Sequence, residues 1–174
     1  MKQADLIAHL SHSSRYVENA IKHVFLAELF QTLWQHDPTL QLQVFIGEID
    51  AFGHDIVLVV GSVTRHIQFK ASHINATAQS TNINIALSQT PAGCTVWMFY
   101  ELTSLQIRHY LFFGSPVGQP PPDLSRFKSA KHHKPNSKGI RTERPAIRDV
   151  PKSKFVRMDS LAGLIQTLFN VSIE

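Results

Sequence analysis

The chain has 174 residues, 43% hydrophobic and 17% charged, with 17 Lys+Arg against 13 Asp+Glu, which suits one globular domain and excludes disordered and fibrous classes. A single cysteine, Cys94, excludes an internal disulfide and a cysteine-rich zinc site, and the longest apolar run, Ile56 to Val60, is too short to span a bilayer. The expectation is a soluble, cytoplasmic protein with no export signal in MKQADLIAHLSHSS.

Residues 14 to 35 contain no Gly or Pro and place Val17, Ala20, Ile21, Val24, Phe25, Leu29 and Leu33 at near-helical spacing. This predicts a long amphipathic helix, started by Ser13 or Ser14 and stopped by Asp37-Pro38. Strand-like stretches follow at 42 to 50, 55 to 62 and 63 to 72, broken at Gly53 and at Gly61-Ser62, and predict three strands in hairpin succession. Residues 77 to 88 are expected to form a second helix, ended by Pro91 and Gly93. A fully apolar strand at 94 to 100 makes Cys94 a core residue in expectation rather than a reactive thiol. One further strand is expected over 104 to 115.

Residues 116 to 157 then read as a Pro-containing loop segment within the single domain. From Asp123 to Arg157 there are 11 basic and 3 acidic residues, a net +8 against −4 for the rest of the chain. Such a segment points to a polyanionic partner, because cations that neutralise phosphates release counterions; a solvated charged loop is the plainer reading. A short helix over 159 to 169, capped by Asp159, closes the chain.

Asp55 opens the second strand and Gln68-Phe69-Lys70 lies in the third. Residues two apart in a strand share a face, so Gln68 and Lys70 can converge with Asp55 near one end of the hairpin. A carboxylate and an amide oxygen can hold a hard cation, with the ammonium beside them for a water or a phosphate oxygen. An ordinary polar strand face would also account for these residues, but Ile56 to Val60 is apolar on both faces, and a buried sheet with Gln and Lys side by side asks for a reason.

A helix with a glutamate, then Gly53-His54-Asp55, an apolar strand, and an apolar-Gln-apolar-Lys strand ending in Ala71-Ser72 together resemble the PD-(D/E)XK nuclease superfamily over roughly residues 14 to 100. The resemblance implies a restriction-endonuclease-like fold, a three-layer α/β/α sandwich with a mixed central sheet. It also implies Mg2+- or Mn2+-dependent cleavage of phosphodiester bonds in DNA, with Asp55, Gln68, Lys70 and Glu18 as the catalytic set. No proline precedes Asp55, and Gln68 stands where the family has Asp or Glu. A neutral amide can ligate magnesium but removes one negative charge, so a helix carboxylate, Glu18 or Glu28, is expected to compensate.

Rise per residue separates the two. A strand over 42 to 50 covers roughly 27 Å at ~3.3 Å per residue, which at ~1.5 Å per residue is about 18 helix residues back from Trp34. Glu18 is therefore level with the turn before Asp55, on the helix side shared with Ile21, Phe25 and Leu29; the plainer reading is a carboxylate paired with Lys22. Glu48 and Asp50 share a strand face and are further candidate ligands. Arg65, Ser72 and His73 are candidate phosphate contacts, as are Arg126, Lys128, Lys131, Lys134, Lys138, Arg141 and Arg144 of the basic segment. The ten histidines are scattered, and no HExxH, GxSxG or Walker motif occurs. The reading is a Mg2+-dependent endonuclease, with homodimerisation open. Its alternatives are an inactive nuclease-like domain that binds nucleic acid or a protein, and an unrelated α/β protein whose basic loop aids solubility.

Overall fold

In the computed structural model, residues 14–47, 53–132, 134, 137 and 139–173 are described. Helix α1 (Ser14–His36) buries Val17, Ile21, Phe25, Leu29 and Leu33, a ladder of three- and four-residue steps along one face. It ends where expected. The Asp37 N–H closes on the Leu33 carbonyl, and the Asp37 carboxylate accepts from the backbone N–H and hydroxyl of Thr39, turning the chain out of the helix.

Strands β1 (Leu42–Phe45), β2 (Ile56–Val60) and β3 (Val63–His73) follow as an antiparallel meander. Gly61, at φ +56°, makes the two-residue turn between β2 and β3. After β3 come β4 (Ser80–Asn84) and a 3-10 turn over Ile85–Gln89. Strand β5 (Gly93–Tyr100) then runs parallel to β3 and is buried along its whole length, as its sequence, apolar but for Thr95, favours. β6 (Ile107–Phe113), β7 (Ser129–Lys131), β8 (Glu143–Pro151), β9 (Val156–Met158) and helix α2 (Leu161–Phe169) complete the chain.

The main sheet is mixed and six-stranded, in the order β1-β2-β3-β5-β6-β9, and a second sheet has the order β4-β8-β7. One face of the main sheet packs on α1 and α2 through Ile21, Phe25, Ile67, Phe69, Val96 and Leu164. The other face packs Trp97, Phe99, Leu111 and Phe113 against Ile83 of β4 and Val150 of β8. The α/β class with a mixed sheet is thus as expected. Three expectations are corrected. The helix over 77–88 is a strand and a 3-10 turn: on β4 Ile83 is fully buried between half-buried Asn82 and Asn84, and the Asn84 side chain accepts from the Ala86 N–H to start the 3-10 turn. The basic segment is also not a plain loop: it supplies β7, β8 and β9. Ser160, not Asp159, caps α2, accepting from the Gly163 N–H at 3.1 Å, while Asp159 pairs with Arg157 at 2.7 Å. No helix among the described residues is long and apolar enough to cross a membrane.

Candidate functional site

β2 and β3 part company at the start of β2. The Asp55 N–H still donates to the Ile67 carbonyl at 2.9 Å, but among the described residues β3 continues to His73 with only β5 paired to it. The next outward-pointing backbone donor, the Phe69 N–H, is taken by Asp55 Oδ2 at 2.6 Å. This bond holds the aspartate against the freed edge of β3, beside Gln68 and Lys70. The turn before Asp55 packs tightly: Gly53 sits at φ +74°, and a Cβ there would lie 2.7 Å from Asn84 Cβ.

At this parting of the strands is a cleft of about 500 Å³ lined by Glu18, Asp55, Gln68 and Lys70, together with Arg15, Asn19, Lys22 and His54. Four candidates named from sequence therefore meet in one place. Burial pushes the Glu18 carboxyl above its usual range, Lys70 opposes this, and Asp55 adds to it; the glutamate thus shares an electrostatic site with both. No ion pair within 4.0 Å ties Glu18 to Lys70 among the described residues, so carboxylate and ammonium face the same cleft without closing on each other.

Gln68 is 6% exposed, and its Oε1 is buried with no hydrogen-bond partner among the described residues. An orphaned buried oxygen is costly unless something uses it. Two mutually repelling carboxylates and an oxygen lacking a donor are what a hard cation would relieve, so Asp55, Gln68 and Glu18 fit a divalent ion. Among the described residues there is no group of three or more His, Cys, Asp or Glu side chains that could hold a metal; here the third ligand would be the amide.

The other candidates lie elsewhere. Glu28 accepts from the Tyr110 hydroxyl at 3.4 Å, and burial raises its carboxyl above the usual range while that hydrogen bond opposes; it does not line the cleft. Asp50, Glu48 and Lys138 lie outside the described residues. Arg65 is corrected from a phosphate contact to a structural residue: it is 1% exposed and donates to the Leu168, Thr167 and Ser115 carbonyls at 2.7, 3.1 and 3.0 Å. The Ser72 hydroxyl accepts from the Trp97 indole at 2.9 Å, and His73 lines a separate small cleft with Glu101.

Within the basic segment, Lys131, Lys134 and Arg141 are exposed and Arg144 is half-buried. Arg126 pairs with Asp123 at 3.4 Å and lines a different groove with Lys128. Arg15, Asn19 and Lys22 were not singled out from sequence as cleft residues. Their mutual spacing of four and three, with Arg15 and Lys22 three before and four after Glu18, carried that signal, because it puts them along one helix flank. No family model, curated protein or solved structure matches this chain.

Proposed function

We propose that this chain is a Mg2+-dependent phosphodiester hydrolase acting on DNA, built on a divergent restriction-endonuclease-like core. The observation that carries this reading is the convergence of Glu18, Asp55, Gln68 and Lys70 on one cleft, with the Gln68 oxygen buried and unpartnered among the described residues. The order of elements supports it: a helix, three antiparallel strands, then a crossover to a strand parallel to the third. The crossover differs from the expected core in carrying β4 and a 3-10 turn instead of a helix.

In this reading Asp55, Gln68 and Glu18 hold the cation, which when bound would offset charge on a phosphate and make water more acidic. Lys70 binds a phosphate oxygen and orients the attacking water, since its ammonium has no close anion among the described residues. Asp55 is kept in register by the Phe69 N–H, which donates to its Oδ2. The second sheet stands on the main-sheet face toward which Gln68, Lys70 and Ser72 point, the face Ser72 shares with Trp97, and the basic connection between β7 and β8, with Lys134 and Arg141 exposed, is suited to hold a phosphate backbone.

The test is incubation of purified protein with supercoiled, linear and single-stranded DNA in Mg2+ or Mn2+. Cleavage that disappears with chelator and in a folded Lys70→Ala variant is the expected result; no cutting of any DNA or RNA would defeat the enzymatic claim. The neutral Gln68 favours a second reading, a domain that binds nucleic acid without cutting it. Magnesium titration separates the two, because a non-cutting binder has no saturable site lost in Asp55→Ala.

A further inference from the structure

The solvent side of α1 is unusual for an amphipathic helix. Tyr16, Trp34 and Phe30 are 73%, 70% and 47% exposed, and with Ala20, His23 and Ala27 they recur at steps of four, three, four, three and four. That is a 3.5-residue period, the spacing of a helix-pairing seam. The charged residues of the helix avoid it: Arg15, Glu18, Lys22 and Glu28 each lie about 100° or more around the helix from the line Tyr16–Trp34, at ~100° per residue. A solvent-facing helix stripe with three large aromatics and no fixed charge is a surface awaiting cover.

The seam is also complementary to itself. If a second copy of α1 lies antiparallel across it, with a two-fold axis level with Phe25, Tyr16 meets Trp34 of the other copy, Ala20 meets Phe30, and His23 meets Ala27. Large residues thus face small ones in the interior of the seam, and aromatics pair at both ends. Small residues near the axis allow close approach, and alternation of size lets the side chains interdigitate. An unrelated partner would give no reason for this internal symmetry.

We infer that the chain forms a homodimer through an antiparallel α1–α1 contact along Tyr16, Ala20, His23, Ala27, Phe30 and Trp34. Covering the exposed parts of six aromatic rings and the seam around them removes roughly 1,000 Å² in all, at the small end of specific interfaces, so the dimer is weak and concentration-dependent. Glu18 lies on the opposite side of the helix from the seam.

Light scattering coupled to size exclusion, on the full chain from about 1 to 100 μM, tests the assignment. Twice the chain mass is expected at the upper concentration, with Trp34→Glu and Ala27→Glu each monomeric there while keeping the wild-type circular dichroism. Both sites are exposed, so neither charge disturbs the core. Orientation is read by cysteine crosslinking: Tyr16→Cys chains should crosslink to Trp34→Cys chains and not to themselves. A monomer throughout, a dimer indifferent to both glutamates, or a Tyr16→Cys self-crosslink would each overturn the inference. None of these readouts depends on nuclease activity.

Discussion

Arg65 shows how much one side chain can be misjudged from its type alone. It lies on β3 two residues from Ile67 and four from Phe69, and both of those are buried against the helices; strand parity therefore already put Arg65 on the inner side. There its guanidinium closes the C-terminal end of α2 by donating to Leu168 and Thr167, where a cation also suits the helix dipole. Arg65→Ala should cost about 3 kcal/mol or more in urea unfolding, because three carbonyls lose a buried charged donor. Arg65→Lys should recover little of it, since a single ammonium cannot reproduce the fork. The Glu18 carboxyl makes the opposite case. Burial raises it, so the folded state holds this proton more tightly than the unfolded state does, and its ionisation removes stability as pH climbs from the ordinary glutamate value through the raised one. In chelator, Glu18→Gln should therefore melt higher than wild type at pH 7, the gap narrowing toward pH 4; added Mg2+ should stabilise wild type and not the variant. Gln68→Glu, which restores a third carboxylate, should tighten Mg2+ binding about tenfold or more by calorimetry and lower the metal-free melting point.

At the scale of elements, what was legible depended on whether the partners of an element are its neighbours in sequence. α1, the β1-β2-β3 meander and β5 all carry their own period or a local turn; α1, β2, β3 and β5 match their expected bounds closely, whereas β1, expected over 42 to 50, ends at Phe45. β7 and β8 carry weak alternation, and β8 pairs with β4 at the far side of β5 and β6, so nothing local identifies them. The cleft was readable for a related reason: Asp55, Gln68 and Lys70 sit on one hairpin, and Glu18 could be placed by comparing the rise of helix and strand. Beneath it, the turn at Gly53 depends on a distant element. Its left-handed backbone and the 2.7 Å approach of Asn84 to any added Cβ tie the loop before Asp55 to the end of β4, where Asn84 Oδ1 also accepts from the Ala86 N–H at 3.0 Å. Gly53→Ala should cost about 1–3 kcal/mol by thermal or urea unfolding, and should weaken metal binding beyond that loss because the loop that places Asp55 must shift. Gly61→Ala, at positive φ but with open space around it, is the control that separates backbone strain from displacement of Asp55.

For the whole molecule, the segregation of charge acquires a geometry. The +8 of residues 123–157 divides into cations bound within the structure and cations left outside it. Arg126 and Arg157 pair with Asp123 and Asp159, Arg148 donates to Ser129 and to the Pro145 carbonyl, and Lys152 lies 4.5 Å over the Phe99 ring. Lys131, Lys134 and Arg141, by contrast, are exposed on and beyond β7, in a connection that can meet a polyanion without giving up an internal contact. The two groups should respond differently to removal. Replacing Lys131, Lys134 and Arg141 together by alanine should leave the melting temperature within about 1 °C of wild type, since solvated surface charges contribute little to stability. It should also weaken DNA binding to a similar degree across sequences and flatten the dependence of log affinity on log salt by up to about 0.9 for each phosphate no longer neutralised. Lys152→Ala should do the reverse, lowering stability by taking the ammonium away from the Phe99 ring with little change in salt slope. Fluorescence anisotropy over a salt series measures the slope directly. An unchanged slope in the triple variant would move the phosphate-binding surface away from the second sheet and leave the +8 to solubility alone.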